Sequence, residues 1–155
     1  MAILRRLEDF LNKNKVPYKA VIHPEAYTAQ EIAASMHVRG KELVKSVMIK
    51  ADGRFIMAVL PASLRVDFDK LKDATGESEV KLADEKEFAV LFPDCEPGAE
   101  PPFGNLYNVD TIVDKSLAED EHIYFNAGTH YEAVEMDYKE YEELVKPKVA
   151  KFAVH

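Results

Sequence analysis

The sequence predicts an α+β (mixed α/β) fold, formed by one domain over residues 1–155. Two patterns indicate this class. Apolar residues recur at helical spacing near both ends of the chain and between the strands, whereas apolar runs bounded by turn residues indicate strands in the middle and late parts. A length of 155 residues allows one domain to bury roughly two thirds of the surface of its unfolded chain.

The first half of the chain alternates helices and strands. Its predicted elements are a helix over residues 3–13, an edge strand over 16–23, a helix from Thr28 to just before Gly40, and strands over 43–50 and 55–60. Pro17 places the first strand at a sheet edge, and the capping-box spacing of Thr28 and Glu31 begins the second helix. The two later strands form a hairpin, because Asp52-Gly53 suits the positive φ angles of a type I′ turn.

The second half places a group of strands between helices. Its predicted elements are a helix from Asp67 that stops at Gly76, a helix capped by Asp84 ahead of residues 88–92, strands within 106–114, 122–128 and 129–136, and a helix from Asp137 to Val145. Asp67 is a predicted N-cap, and Asp84 and Asp137 are each followed three residues later by a glutamate, as in a capping box. The three strands are predicted to form an antiparallel meander.

Composition and charge narrow the classes of function. The longest apolar run, residues 55–60, is too short to span a bilayer, and the N-terminus becomes charged before a signal-peptide core could form. The single cysteine, Cys95, excludes an internal disulfide and suits a reducing compartment. We therefore expect a cytoplasmic protein without membrane contact. The net charge of −8 excludes a broad basic surface for nucleic acid, but not a small site that binds the end of one.

No motif indicates a metal or a cofactor. The histidines other than His130 share no ligand spacing with it, so we predict no zinc site and no cofactor; they are His23, His37, His122 and His155. The sequence also lacks a Walker loop and the GxGxxG, GxSxG and HExxH motifs. Cys95 has no base near it in the sequence, and we interpret it as a packing residue. Any hydrolysis would therefore proceed without an evident protein nucleophile.

One lysine stands out within the predicted strand LVKSVMIK. Because alternate residues of a strand share a face, Lys45 lies with Leu43, Val47 and Ile49 on the more apolar face. One interpretation is a lysine whose stem packs at a sheet edge while its ammonium reaches water. The other is a cation held at the floor of a pocket to meet negative charge.

A stiff segment, EPGAEPPFGN, occupies residues 96–105. Gly98 permits backbone conformations closed to other residues, Pro101 and Pro102 fix φ, and Gly104 releases the chain in a new direction. The backbone N–H groups of such a preformed loop could face a ligand that carries negative charge. Alternatively, the segment is a rigid connection whose Phe103 fills the core.

A second tight turn, Gly128-Thr129-His130, separates two predicted strands. Gly128 supplies the turn and places Thr129 and His130 at the start of the following strand. A histidine at this position acts near neutral pH as an acid, a base or a hydrogen-bond donor, or else is merely exposed or packed.

These three places together resemble the YbaK/prolyl-tRNA synthetase-associated deacylase family. The features that carry the resemblance are the lysine in LVKSVMIK, the Gly98-x-x-x-Pro102 segment that runs into Phe103-Gly104, and the late Gly128-Thr129-His130. The resemblance covers roughly residues 5–145. It implies a strongly twisted mixed sheet wrapped by helices, and hydrolysis of the ester that joins a wrong amino acid to tRNA.

The resemblance also implies the site. Lys45 corresponds to the functional lysine and is the predicted catalytic residue. The predicted substrate-binding residues are Ser46, Gly98, Ala99, Glu100, Pro101, Pro102, Phe103, Gly104, Gly128, Thr129 and His130. An aminoacyl ester is already activated, so a positioned water and a stabilised oxyanion can be enough for hydrolysis.

Specificity and partners follow from the same comparison. Ser46 after the lysine and His130 in the late motif favour a small amino acid, alanine or serine. The acidic charge indicates that a synthetase or an elongation factor supplies part of the affinity for mischarged tRNA.

Two other classes of function stay open. A non-catalytic binding module would associate with a synthetase or another protein and show binding without turnover. A small-molecule esterase or amidase would need a Ser-His-Asp set or paired carboxylates, and neither arrangement is visible in the sequence.

Overall fold

A computed structural model describes residues 4–22 and 43–155 of the chain. The helices in these ranges are α1 (Arg5–Lys13), α2 (Phe68–Thr75), α3 (Glu85–Phe88) and α4 (Tyr138–Val145). The strands are β1 (Lys19–Ile22), β2 (Val44–Ala51), β3 (Arg54–Pro61), β4 (Arg65–Val66), β5 (Val80–Leu82), β6 (Asp110–Asp114), β7 (His122–Asn126), β8 (Glu132–Asp137), β9 (Lys148–Ala150) and β10 (Ala153–Val154). Short 3-10 helices span Ala89–Leu91, Gly104–Tyr107 and Lys115–Glu119.

The strands form sheets of mixed direction, which confirms the predicted fold class. The five-stranded sheet has the order β5-β2-β3-β6-β9. Its first three strands are antiparallel, whereas β6 runs parallel to β3 and β9 runs parallel to β6. A three-stranded antiparallel sheet has the order β1-β8-β7, and β10 pairs with β4. β1 lies at a sheet edge, as predicted, but it begins at Lys19, so Pro17 precedes the strand.

The predicted antiparallel meander is wrong for its first strand. β7 and β8 pair antiparallel, with Phe125 opposite Val134. β6 instead joins the other sheet, where Ala58 of β3 lies opposite Ile112 in parallel register. Ile112 and Val113 are buried on opposite faces, and a strand buried on both faces is typical of the parallel part of a sheet.

Local turn and cap signals agree well with the structure. Asp52 and Gly53 have φ angles of +47° and +88°, as a type I′ hairpin requires. Asp67 accepts a hydrogen bond from the Lys70 amide, and Gly76 ends α2 with a φ of +73°. α4 has its predicted bounds.

Other local predictions are wrong in part, and one concerns residues that the structure does not describe. The helix after Asp84 is shorter than predicted, since α3 ends at Phe88 and a 3-10 turn follows. The Asp137 side chain makes no capping hydrogen bond, and its Oδ1 instead lies 2.9 Å from His122 Nδ1. The first four residues of the predicted strand 106–114 lie outside β6, which begins at Asp110 after a 3-10 helix. The predicted helix from Thr28 lies outside the described residues.

The five-stranded sheet separates two apolar clusters. Val44, Met48 and Val59 belong to the larger cluster, together with Phe103. Ile49 and Leu60 belong to the second, on the opposite face of the hairpin. Because side chains alternate along a strand, β2 presents its successive residues to one cluster and then the other.

A buried aspartate fastens the C-terminal segment to β6. Asp114 is 2% exposed, and its Oδ1 accepts hydrogen bonds from the amides of Phe152 (2.9 Å) and Ala153 (2.8 Å). Its other oxygen accepts from the amide and the hydroxyl of Ser116. Burial raises the pKa of Asp114, but these hydrogen bonds outweigh burial and hold the pKa below its ordinary value.

We expect Asp114→Ala to lower the free energy of unfolding by roughly 3 kcal/mol at pH 7, because buried amides lose a charged acceptor. A depressed folded-state pKa means that this stabilisation is complete above the ordinary carboxyl pKa of about 4 and is lost as the pH falls through the folded value. Urea unfolding at pH 7 and at lower pH therefore tests both statements. The exposed control Asp73→Ala should change stability by less than about 0.5 kcal/mol. An equal loss in both variants would contradict the assignment.

Candidate functional site

The proline-rich segment forms a loop whose far end is anchored in the core. The ring of Phe103 is fully buried and contacts the rings of Phe10, Phe125 and Tyr141, with centroid distances of 6.1, 5.6 and 5.2 Å. The Tyr141 hydroxyl donates to the carbonyl of Pro102 at 2.6 Å. A ring without exposed surface cannot touch a substrate in this conformation, so Phe103 anchors the loop instead of lining it.

Gly104 allows the chain to turn sharply behind this anchor. A Cβ atom at Gly104 would lie 2.5 Å from the Val109 carbonyl oxygen and 2.5 Å from Thr111 Oγ1. No side chain fits at that distance from a backbone atom. Gly104 is therefore a close-packing position, buried at the start of a 3-10 helix.

The other end of the loop is joined to the late Gly-Thr-His turn. Four described hydrogen bonds connect the two segments. The Glu96 amide donates to the Gly128 carbonyl (2.8 Å), and the Gly128 amide donates to the Ala99 carbonyl (2.9 Å). The His130 amide donates to Glu96 Oε1 (2.7 Å), and His130 Nε2 lies 3.0 Å from the Pro97 carbonyl oxygen. Two motifs that lie about thirty residues apart in the sequence thus form one unit.

The His130 ring lies directly against the loop. Because a carbonyl oxygen only accepts, His130 Nε2 carries the proton that it donates to Pro97. A Cβ atom placed on Gly98 would lie 3.5 Å from His130 Cε1, and Gly98 itself has a φ of +86°. His130 is buried, and its ring packs against Gly98.

The loop amides are largely engaged within the loop. The Gly98 amide donates to Glu100 Oε2 at 3.1 Å, and the Ala99 amide donates to the Glu96 carbonyl at 3.0 Å. Proline has no N–H group, so Pro101 and Pro102 offer none. For Gly98 and Ala99, these contacts correct the expectation that the loop amides face a ligand.

Glu100 contributes a buried carboxyl group to the loop. Burial raises its pKa and outweighs the opposing hydrogen bonds from the amides of Glu100 and Gly98. The negative charge of Glu85 raises this pKa further, while His130 opposes it. Glu100 therefore closes the loop on itself through Gly98.

Lys45 lies on β2 opposite Leu60, on the face that also carries Val47 and Ile49, as the alternation predicts. Its side chain is half-buried, and burial lowers its pKa. Among residues 4–22 and 43–155, no carboxylate forms an ion pair with it. Lys45 is therefore a partly desolvated cation without a counterion in the described part of the chain.

The start of β2 lies beside the strand that leads to the Gly128 turn. Leu43 forms a parallel bridge with Tyr124 of β7. From this bridge the two strands advance in the same direction, β2 towards Lys45 and β7 towards Asn126 and then Gly128. No described hydrogen bond joins Lys45 to the loop or to His130, so topology alone relates them.

Two buried oxygens in this region have no partner among the described residues. They are Ser46 Oγ on β2 and Asn126 Oδ1 at the end of β7. Ser46 lies opposite Val59, on the face of β2 away from Lys45.

A sequence model of the aminoacyl-tRNA editing domain matches residues 23–144 of this chain. The chain belongs to the aminoacyl-tRNA editing domain family. This editing domain is 28% identical over 98 residues to proline–tRNA ligases of Bacillus cytotoxicus and Bacillus mycoides. The aligned region covers 63% of this chain and only 17% of each ligase.

Solved structures share the fold of this editing domain. One, described as a hypothetical protein, has a TM-score of 0.87 and 23% identity, and the match covers 96% of this chain and 99% of that one. Another, described as a candidate trans-editing enzyme for prolyl tRNA synthetase, has a TM-score of 0.84 and 21% identity, covering 98% and 97% of the two chains. At these identities the likeness establishes the fold alone.

The described residues were also compared with what a metal site and a membrane-spanning helix require. In residues 4–22 and 43–155, no three His, Cys, Asp or Glu side chains are grouped to hold a metal ion. None of the described helices is long and apolar enough to cross a membrane.

Sequence reasoning missed Glu96 as a site residue. Its carboxylate binds the amide of His130, which lies 34 positions later in the chain. No sequence pattern relates these two positions, so the contact could not be predicted from their spacing. The only available signal was a carboxylate at the start of the Pro/Gly segment.

Cys95 lies beside the loop in a polar cluster. Its Sγ is 3.3 Å from the Tyr107 hydroxyl, which donates to Asp94 at 3.0 Å, and Arg6 binds the other oxygen of Asp94 at 3.1 Å. Burial raises the pKa of the Cys95 thiol to about 12, although the Tyr107 hydrogen bond opposes the shift. Little thiolate is therefore present near neutral pH.

We expect Cys95→Ala to retain deacylation within a fewfold, because a thiol with so high a pKa is a poor nucleophile. Rates of acyl loss from mischarged tRNA, measured for both proteins, test this expectation. Complete inactivation, or a thioester trapped on Cys95 in the unmodified protein, would reverse the assignment.

Proposed function

We propose that this protein is a trans-editing hydrolase that removes a wrong amino acid from mischarged tRNA by hydrolysing the aminoacyl ester. The observation that carries the proposal is the junction between the Gly98 loop and the His130 turn, in a chain of the aminoacyl-tRNA editing domain family. In this proposal one domain over residues 1–155 carries the activity and acts in the cytoplasm.

Lys45 is the catalytic residue in this mechanism. Its half-buried ammonium has no described counterion, so it can bind the terminal phosphate of the tRNA or the charge that develops on the ester oxygen. Partial burial strengthens that attraction, because the local dielectric constant is lower than that of water. The need for Lys45 is greater because the Gly98 and Ala99 amides already donate within the protein.

Water is the nucleophile in the proposed reaction. The vicinal ribose hydroxyl of the tRNA end orients a water molecule towards the ester carbonyl carbon. Attack by the water, which loses a proton, forms a tetrahedral oxyanion. The bond between that carbon and the ribose oxygen then breaks, the ribose oxygen takes up a proton to become a hydroxyl, and the free amino acid is released. An activated ester needs no covalent intermediate when the water is held in position.

The loop and the turn form the proposed amino-acid pocket. The residues proposed to bind or shape the substrate are Ser46, Gly98, Ala99, Glu100, Pro101, Pro102, Gly104, Gly128, Thr129 and His130, with Phe103 as the anchor. The buried His130 ring beside Gly98 limits the width of this pocket. We therefore favour alanine or serine as the amino acid removed.

Proposed partners follow from the charge of the chain. With a net charge of −8, the protein has little general attraction for a tRNA backbone. A synthetase or an elongation factor is the proposed source of the additional tRNA affinity.

A panel of tRNAs mischarged with alanine, serine, threonine or cysteine tests the proposed substrate. We expect the protein to accelerate loss of alanine or serine most. The spontaneous rate for each ester, measured without protein, is the control. Preferred loss of cysteine or threonine would contradict the substrate class, and acceleration of none would contradict the enzyme.

We further expect activity to survive exhaustive EDTA treatment, because the mechanism uses water, Lys45 and the ribose hydroxyl without a metal ion. The measurement compares deacylation rates before and after chelation. If activity disappears and returns on addition of Zn²⁺, the proposed site residues are wrong.

The alternative is a non-catalytic module that associates with an aminoacyl-tRNA synthetase. The internal hydrogen bonds of the Gly98 and Ala99 amides favour it, since they leave fewer donors to stabilise an oxyanion. This alternative predicts binding of a synthetase or of mischarged tRNA with no change in the rate of acyl loss.

A further inference from the structure

Glu96 lies where the loop meets the His130 turn, and it takes part in three hydrogen bonds there. Its amide donates to the Gly128 carbonyl at 2.8 Å, and its carbonyl accepts from the Ala99 amide at 3.0 Å. Its side-chain Oε1 accepts from the His130 amide at 2.7 Å. Glu96 therefore contacts both the loop and the turn.

The carboxylate of Glu96 differs from the other connections between the two segments. The bonds of Gly128 are made by backbone atoms, and the bond to Pro97 is made by the His130 ring itself. Glu96 Oε1 binds the backbone amide of His130, so this bond orients the residue through its main chain. A side-chain substitution at Glu96 can remove this bond and leave the backbone bonds in place.

The position of the His130 backbone determines where its ring lies. Two of the described contacts hold this residue, one from Glu96 to its amide and one from its Nε2 to the Pro97 carbonyl. Its Cε1 lies 3.5 Å from the point at which a Gly98 Cβ would stand. Loss of the Glu96 contact would let the His130 backbone shift, and the distance between its ring and Gly98 would change.

We propose that Glu96 is a positioning residue that fixes His130 against the Gly98 loop and thereby sets the amino-acid preference of the pocket. The part of this inference that concerns preference rests on the proposed function. The part that concerns the position of His130 does not, because the Glu96 contact is independent of any substrate.

Two substitutions at Glu96 separate the acceptor from the bulk of the side chain. Glu96→Ala removes the acceptor, whereas Glu96→Gln retains an oxygen that can bind the His130 amide. Glu143→Ala, at an exposed position of α4, is the control for loss of a glutamate elsewhere. Stability of every variant is measured by urea unfolding, so that a misfolded protein is recognised.

The first measurement is amide hydrogen exchange at His130, which needs no substrate. We expect exchange to be on the order of tenfold faster in Glu96→Ala, because a hydrogen-bonded amide becomes free to open. Glu96→Gln and Glu143→Ala should remain within about threefold of the unmodified protein. Unchanged exchange in Glu96→Ala would overturn the positioning role, even if the protein hydrolyses no ester.

The second measurement is the ratio of kcat/KM values for alanyl and threonyl esters. We expect Glu96→Ala to change this ratio on the order of tenfold, with Glu96→Gln close to the unmodified protein. In the presence of His130→Ala, the further change Glu96→Ala should leave the ratio unaltered, because its effect passes through the ring. An equal loss of kcat/KM for both esters would overturn the inference. Independent effects of Glu96→Ala and His130→Ala on the ratio would also overturn it. Absence of hydrolysis by the unmodified protein would instead contradict the proposed function.

Discussion

Lys45→Ala is expected to reduce deacylation by about 10²-fold or more while the protein remains folded. The substitution removes the one group proposed to stabilise the developing negative charge, because the Gly98 and Ala99 amides already form hydrogen bonds within the protein. The half-buried stem of Lys45 contributes packing, so a small loss of stability, about 1 kcal/mol, accompanies the change.

A second lysine on the same strand provides the matched control. Lys50 binds Glu87 Oε2 at 2.5 Å, and its ammonium is therefore already paired. We expect Lys50→Ala to retain nearly full activity. Both variants are compared at saturating and limiting substrate, with unfolding measured in parallel. Near-normal turnover in Lys45→Ala would remove this residue from the mechanism.

Gly98→Ala and His130→Ala are expected to change the activity in different ways. Gly98 has a φ of +86°, and a residue with a Cβ atom is strained there by about 1–2 kcal/mol. The shift of the loop should lower activity towards every ester. His130→Ala should instead alter the ranking of alanyl, seryl, threonyl and cysteinyl esters, by about 1–3 kcal/mol between the most and least affected.

The chain contains a suitable control for the glycine. Gly53 has a φ of +88° in the β2–β3 hairpin, and a Cβ atom there would meet nothing within 4 Å. Gly53→Ala should therefore lose similar stability but keep its activity. If Gly98→Ala and His130→Ala each lowered the activity towards all esters by a common factor, His130 would be catalytic or structural. The preference for small amino acids would then lose its support.

Predictions from the sequence succeeded where short segments determine structure. Asp52-Gly53 and the Asp67 cap depend on backbone angles and hydrogen bonds within a few residues, and each is observed. Alternation along β2 also placed Lys45 correctly on the face of Val47 and Ile49.

Long-range pairing could not be predicted in the same way. The parallel placement of β6 beside β3 joins segments more than fifty residues apart, and the local pattern of β6 suits a strand in either sheet. The contact between Glu96 and His130 likewise depends on how the loop and turn meet. The internal hydrogen bonds of the Gly98 and Ala99 amides were not foreseen for the same reason, because their acceptors, Glu100 and the Glu96 carbonyl, depend on the folded shape of the loop.

Single-turnover deacylation of alanyl- and seryl-tRNA, with the protein in excess, is the most direct test of the proposed enzyme. We predict a first-order loss of the acyl group at least about 10²-fold faster than spontaneous hydrolysis. The rate should saturate with protein concentration and fall close to the spontaneous rate in Lys45→Ala. Binding of these tRNAs by the unmodified protein, with acyl loss no faster than the spontaneous rate, would contradict catalysis and support the non-catalytic module.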